Sequence, residues 1–262
     1  MIKYFSLLLG SFAGTLLLRE RRKRLALERL GAATLESLLD AIGANNPDTG
    51  AHVRRVADYS IELACAADLD KWTQHSVERV ALFHDIGKID GAIADIVNET
   101  TKLSAEERRS IMEHPRKGAE VLAPLASFFP ELPEGVLSHH ERWDGTGYPR
   151  KLKGEAIPIE ARIVAIADTF DAITQSRSYR HSRSIETATE IISSGRGTQF
   201  DPDLADLFLS PPVMTYVAKA MAKSLRPRRS GGRRKRCGSS ADAPDITFRW
   251  RATTPVRLPA GH

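Results

Sequence analysis

The chain of 262 residues has only two cysteines, Cys65 and Cys237, far apart and in unlike surroundings. That excludes a disulfide framework and a zinc site built from thiolates. No repeat of fixed period and no convincing alternation of apolar and polar residues occurs, which sets aside repeat architectures and a sheet-built core. No uncharged run reaches the roughly 20 residues of a spanning helix. The longest, Tyr4–Leu18, has fifteen residues and runs into Arg19-Glu20-Arg21-Arg22-Lys23-Arg24. With Ile2 and a snorkelling Lys3 it comes to the lower limit of about 17. A small-residue cleavage site, which a secretory signal needs, is missing because the arginine block stands in its place. Residues 1–24 therefore read as a membrane anchor whose basic block stays on the cytoplasmic face, or as an apolar helix start that packs on the domain. The tail lacks aromatic residues between 226 and 247, so specific nucleic-acid recognition is not expected of it.

The net charge of +5 is unevenly spread. Residues 1–24 carry six Lys/Arg and one Glu, residues 211–262 carry twelve Lys/Arg and two Asp, and residues 25–210 carry twenty basic and thirty acidic groups. An acidic middle of net −10 thus lies between basic ends, and the ends can adhere to acidic surfaces by counterion release. We read three parts: 1–24, the apolar segment and basic block; 25–210, a catalytic domain; and 211–262, a basic tail with a helix to about Leu225 and too polar beyond it to bury much.

A hydrophobic fraction of 42% suffices for a packed core. From Leu25 to Ile42 apolar residues recur at helical spacing (Leu27, Leu30, Leu35, Leu38, Leu39, Ile42). Another helix should follow Asp48-Thr49-Gly50, capped at Asp48 or Thr49. Val77, Val80, Ala81 and His84 stand at i, i+3, i+4 and i+7, which turns His84 inward. Ser104-x-x-Glu107 is a capping-box pattern, Pro133 and Pro158 suit first helical turns, and Asp201-Pro202 reads as an N-cap followed by proline. The expected fold is an all-α bundle of seven or more helices.

Of the eight histidines, His52, His84, His114, His139 and His140 stand in short apolar contexts; His75, His181 and His262 do not and read as surface residues. His84-Asp85 ends a helix that turns inward. His139-His140 are adjacent imidazoles, a costly choice for a core unless both lone pairs find one cation. Asp168 follows the apolar run Ile163-Val164-Ala165-Ile166-Ala167, where an unpaired carboxylate would be expensive. Together these make five nitrogens and two carboxylates without a thiolate, a set suited to iron, manganese or zinc and larger than one ion takes. Two ions bridged by a carboxylate can activate a water and clamp the oxygens of an in-line phosphoryl displacement, so the expected chemistry is phosphoester hydrolysis.

The ordered series His52-x-x-Arg55-Val56, His84-Asp85-Ile86-Gly87-Lys88, His114-Pro115, His139-His140-Glu141-Arg142-Trp143-Asp144-Gly145-Thr146-Gly147-Tyr148-Pro149, Asp168-Thr169-Phe170-Asp171-Ala172-Ile173-Thr174 and Gly197-Thr198-Gln199-Phe200-Asp201-Pro202 resembles the HD-GYP domain. That is the branch of the HD phosphohydrolases that degrades cyclic di-GMP, and the likeness runs from roughly Thr34 to Leu209. It implies an HD-domain-like helical bundle with one metal on His52, His84, Asp85 and Asp168. A second metal would share Asp85 and add His114, His139 and His140. Asp85 and Lys88 would be the catalytic pair, with Lys88, Arg177 and Arg180 on substrate phosphate and iron or manganese as the ions. Where some members place a Glu for a third metal, this chain has Asp48, one methylene shorter. The family's Arg-Pro-Tyr-Arg stands here as Arg177-Ser178-Tyr179-Arg180.

The implied activity is hydrolysis of cyclic di-GMP to linear pGpG, and on to GMP, by a domain on the cytoplasmic side. Alternatives are an HD hydrolase of another nucleotide, or a metal-bound signalling module that contacts a diguanylate cyclase or another regulatory protein through Gly145, Thr146, Gly147, Tyr148 and Pro149. The complete ligand set and the intact loop favour the first reading.

Overall fold

The structure, a computed structural model, describes residues 30–41, 43–44, 46–89, 104–175 and 183–224 together with Arg19 and Ala26. The chain divides into two compact units, the described residues up to Leu38 falling in one and those from Leu39 in the other. In the first unit residues 30–38 are helical and bury Ala32 and Leu35. Leu30, expected on the inner face, is 64% exposed, because five residues of helix put it on the opposite side from Leu35. Tyr4–Leu18, Leu27 and Ile42 lie outside the described residues. Among the described residues no helix is long and apolar enough to cross a membrane.

The second unit continues the helical stretch from Leu39 and then forms α1 (Pro47–Ala66). Its cap is Asn46, whose side chain accepts from the N–H groups of Asp48 and Thr49 at 3.1 Å, and not Asp48 or Thr49 as expected. Pro47 has no N–H to satisfy and a suitable φ, so the helix starts at the proline. Helix α2 (Lys71–Phe83) is capped by Asp70, and a 3-10 turn, Ile86–Ile89, follows it closely. Helix α3 (Ala105–Met112) opens on the expected capping box, with both Ser104–Glu107 bonds present. Helix α4 (His114–Leu122) starts one residue after its C-cap, with Pro115 in the first turn.

Pro133 lies in the first turn of α5 (Glu131–Ser138), whereas Pro158 is the N-cap of α6 (Ile159–Thr174), one residue outside the helix. Ser184 caps α7 (Ile185–Ser194), Asp201 caps α8 (Pro202–Phe208), and α9 (Pro211–Ser224) ends the described chain. No strand occurs among the described residues; a single bridge joins Arg196 to Phe200. The molecule is all-α, as the residue spacing predicts.

Helix α6 is the axis of the unit. It packs against α1, α2, α5 and α7, which explains why Ile163, Val164, Ile166, Ala167 and Phe170 are all fully buried on a nearly continuous apolar run. Each of these side chains apart from Ala167 contributes about 1.5–3 kcal/mol on burial. Tyr59 of α1 and Phe208 of α8 meet Phe170 edge-on, with centroids 5.8 and 5.4 Å away. Arg79 of α2 pairs with Glu131 of α5 in the interior and lies over the Phe129 ring at 4.9 Å. That pair fixes α2 against α5, the two helices whose C-terminal ends lead into His84 and His139. Helix α9 buries Val213 and Val217 and packs on α1.

Candidate metal centre

Five segments converge at one end of the bundle. Helix α1 turns His52 inward, α2 ends at His84 with Asp85 next, α4 opens with His114, α5 is followed at once by His139 and His140, and α6 carries Asp168. The ligand atoms of His52, His84 and Asp85 lie within 4.8 Å of one another, and so do those of His114, His139 and His140. Asp168 Oδ1 stands beside the first group, 3.3 Å from His52 Nε2 and 3.8 Å from His84 Nε2. Asp85 faces both groups. Its Oδ2 is 3.5 Å from His84 Nε2, and its Oδ1 is 3.3 Å from His114 Nε2.

Whether these residues fit cations is decided by their ring tautomers. A carbonyl oxygen only accepts, so Nδ1 must donate in His84 (to Ala81, 2.8 Å), His114 (to Ile111, 2.7 Å) and His139 (to Val136, 2.6 Å). In the neutral ring Nε2 then carries a lone pair. The Nε2 atoms of His114 and His139 face each other at 3.1 Å, two lone pairs in a dry place that a shared positive charge reconciles. The buried Nε2 of His84 has no hydrogen-bond partner among the described residues, and Nε2 of His52 faces the Asp168 carboxylate at 3.3 Å.

Burial, followed by the charge of neighbouring imidazoles, holds His139 well below its ordinary value and His140 at about 3, so both are neutral donors near neutral pH. Burial lowers His84 too. The carboxylates go the other way. Burial alone would raise them, but Lys88, His84 and His114 pull Asp85 well below the usual range, and His52 and His84 do the same for Asp168. Neutral His84, His139 and His140 beside ionised Asp85 and Asp168 are donors of the kind divalent ions require, and the residues fit.

Two residues of the site stand in the motif series of the sequence but were given no role there. Asp171 is buried on α6, one turn after Asp168, where its Oδ2 accepts from His52 Nδ1 at 2.7 Å. Arg55, one turn after His52, clamps the same carboxylate through Nε (2.7 Å) and Nη2 (2.9 Å). Burial lowers His52, but the bonds to Asp168 and Asp171 outweigh it and raise the imidazole to about 9. The i, i+3 spacing of Asp168 and Asp171 on an apolar helix was the available signal. Glu141, also buried, accepts from the N–H groups of Arg150 (2.7 Å) and Leu152 (3.0 Å) and so closes the 141–152 loop.

Lys88 Nζ stands 2.7 Å from Asp85 Oδ1 at the partly open mouth of the site. Asp48 is exposed in the first turn of α1 and belongs to neither ligand group. Arg177 and Arg180 lie outside the described residues. His75 is a surface residue beside Glu78, and His181 and His262 are outside the described residues. Gly87 sets the distance between the two halves, since a Cβ there would come 2.1 Å from the His114 carbonyl and 2.7 Å from the Gly118 nitrogen. Only glycine lets the 3-10 turn touch the start of α4.

A helical bundle that gathers imidazoles and carboxylates from five segments around one bridging aspartate defines a histidine–aspartate metal-site protein. The chain belongs to the HD-domain family, whose model matches residues 36–204, and within it to the HD-GYP branch. It is similar to 3'3'-cGAMP-specific phosphodiesterase 2 of Vibrio cholerae, 37% identical over 175 residues that cover 66% of this chain and 33% of the relative. It is also similar to the cyclic di-GMP phosphodiesterase response regulator RpfG of Xanthomonas campestris, 38% identical over 178 residues that cover 67% of this chain and 47% of the relative. The chain therefore spans between a third and a half of the length of these two curated relatives. Among solved structures, Bd1817, an HDG"Y"P protein from Bdellovibrio bacteriovorus, shares the fold with a TM-score of 0.52 at 17% identity, over 74% of this chain and 62% of that one.

Proposed function

We propose that this chain is a metal-dependent phosphodiesterase of cyclic dinucleotides, with cyclic di-GMP as substrate and linear pGpG as first product. The observation that carries the reading is Asp85, whose two oxygens face two separate groups of histidines. His52, His84, Asp85 and Asp168 would hold one divalent ion and Asp85, His114, His139 and His140 the other, with iron or manganese suited to such donors. The pair would supply Lewis acidity and a water made acidic enough to attack phosphorus. Asp85 and Asp168 enter as ionised carboxylates and His84, His139 and His140 as neutral donors, whereas His52, held protonated by Asp168 and Asp171, gives up a proton when its ion binds. Lys88, at the mouth beside Asp85, answers the charge of an incoming phosphate, a role its ammonium suits as a point charge. Arg177 and Arg180 are proposed for the same phosphate. Relatives named for cyclic di-GMP and for 3'3'-cGAMP support the substrate class.

The test is product chromatography on the purified chain loaded with Mn²⁺ or Fe²⁺ and offered cyclic di-GMP, 3'3'-cGAMP and cyclic di-AMP in parallel. We expect cyclic di-GMP to be linearised fastest and Asp85→Ala to lose both hydrolysis and bound metal. Faster turnover of another cyclic dinucleotide would overturn the substrate, and inertness toward all three with full metal content would overturn the enzyme.

A further inference from the structure

Most groups at the centre are held in orientation by a second group. His84, His114 and His139 are each fixed by a backbone carbonyl, His52 by Asp171, and Asp85 by Lys88. His140 is the exception among the five imidazoles: no hydrogen bond to a described residue holds either of its ring nitrogens. Its outer face is covered by the Tyr148 ring, stacked with centroids 4.9 Å apart and planes within 19°. Its other neighbours are the rings of His114 and His139, centroids 5.0 and 4.2 Å away.

The loop is built to deliver that ring. Tyr148 N–H donates to the His140 carbonyl at 3.3 Å, so the chain from 140 to 148 closes on itself. Closure needs Gly147, where a Cβ would lie 2.3 Å from the Arg142 nitrogen and 2.6 Å from the Glu141 Cα. Gly145, at φ +82°, makes the preceding turn in the left-handed region. The return is braced on both sides. Glu141 accepts from the backbone beyond Pro149, while the carbonyls of Gln199 and Thr198 accept from the N–H groups of Trp143 (3.2 Å) and Asp144 (2.8 Å). That second brace is itself anchored, because Asp201 accepts from Arg162 at 2.7 Å and the Arg162 guanidinium lies 5.8 Å from the Trp143 ring centre.

We propose that Tyr148 is a positioning residue for His140, its flat ring setting the plane of the one imidazole at the centre that no carbonyl or carboxylate of a described residue orients. The inference rests on the metal-centre reading and deepens it. The part of Tyr148 that acts is the ring and not the hydroxyl. Groups that orient metal ligands typically cost about 10–100-fold in metal affinity when lost.

The experiment is calorimetric titration of the metal-stripped full chain with Mn²⁺, repeated with Co²⁺ so that the visible absorption of the bound ion reports ligand geometry. In wild type we expect two ions. Tyr148→Phe should keep both affinities and the Co²⁺ spectrum, whereas Tyr148→Leu should weaken one of the two sites by about 10–100-fold and change the spectrum, with unchanged circular dichroism. Should Tyr148→Leu not fold, Tyr148→Met, which keeps contact area without a flat ring, must show the same selective loss. Wild-type binding by the Leu or Met variant overturns the proposal, as does an equal loss in Tyr148→Phe. A wild-type chain that takes up no divalent ion overturns instead the metal centre on which the proposal depends.

Discussion

At the scale of single residues, the site is governed by which atom of each side chain is already committed. A histidine whose Nδ1 donates to a fixed acceptor presents Nε2 as a lone pair in a known direction, and its ring does not need to reorganise when a cation arrives. His52 is oriented through Asp171 and not through a carbonyl, and it presents that lone pair only after losing a proton, which makes it an imidazole easily disturbed by one mutation. Asp171→Asn should weaken divalent-ion binding by about 10–100-fold, because the amide is a poorer partner for both His52 and Arg55. Titration with Mn²⁺ checks it, and unchanged affinity would remove Asp171 from the site. Asp171 was within reach of sequence reading, since it shares a helix face with Asp168. Arg55 also stands in the motif series, but its role was not legible, because an arginine one turn from a histidine reads equally well as a solvated side chain.

At the scale of elements, the two halves of the centre lie on separate supports, α1, α2 and α6 for one and α4 and α5 for the other. They meet where the 3-10 turn Ile86–Ile89 touches the first turn of α4, and the contact depends on Gly87. Gly87→Ala should force the backbones apart. Overpacking of this kind typically costs about 1–3 kcal/mol, and here it should also separate Asp85 from His114. A lower melting temperature together with loss of the second Mn²⁺ equivalent is the expected result. A variant with reduced stability but full metal stoichiometry would show that the gap between halves tolerates the strain. The capping box of α3 and the Asp201-Pro202 start of α8 were legible because a cap and its partner sit within one turn. The start of α1 was misplaced by a few residues because Asn46, Asp48 and Thr49 are all competent caps and only the position of Pro47 chooses among them.

At the scale of the whole molecule, burying five imidazoles beside two ionised carboxylates makes folding depend on cations and on pH. Removing metal with a chelator should lower the melting temperature, since ions that bind only the folded chain stabilise it by mass action. The stripped chain should also be sensitive to acid, and the sign follows from His139 and His140. Their folded values lie below the unfolded value of 6.5, with His140 at about 3. Between those limits the unfolded chain binds protons that the folded chain refuses, so their contribution to stability is full above about 6.5 and falls as pH drops toward 3. The slope is about 1.4 kcal/mol per pH unit for each imidazole. His52, raised to about 9, acts in the opposite sense and loses its contribution as pH rises through that value. Denaturant melts of the stripped chain from pH 7 to pH 4 check the prediction, and a flat profile contradicts it. The proposed domain limits carry a further expectation. A chain cut to residues 25–225 retains every proposed ligand and should hydrolyse cyclic di-GMP at close to the full-length rate; a folded, metal-loaded but inactive short chain would give an end segment a part in catalysis.

The amino-acid sequence by itself determined the kind of donor available, imidazole and carboxylate without thiolate, and the helical elements that carry them. Residue identity and local spacing are enough for both, because caps, first-turn prolines and inward faces are settled within a turn or two of helix. The number of donors in one place was legible too, since seven ligands on apolar-flanked segments have few ways to be satisfied apart. Only the tertiary structure decided what orients each of them. Asp171 meets His52 across 119 residues of chain, His114 Nε2 meets His139 Nε2 across 25, and Gln199 braces Trp143 from the turn before the Asp201 cap. Those contacts depend on the distance and rotation between helices that are remote in sequence. Packing sets these quantities, and no local pattern encodes them.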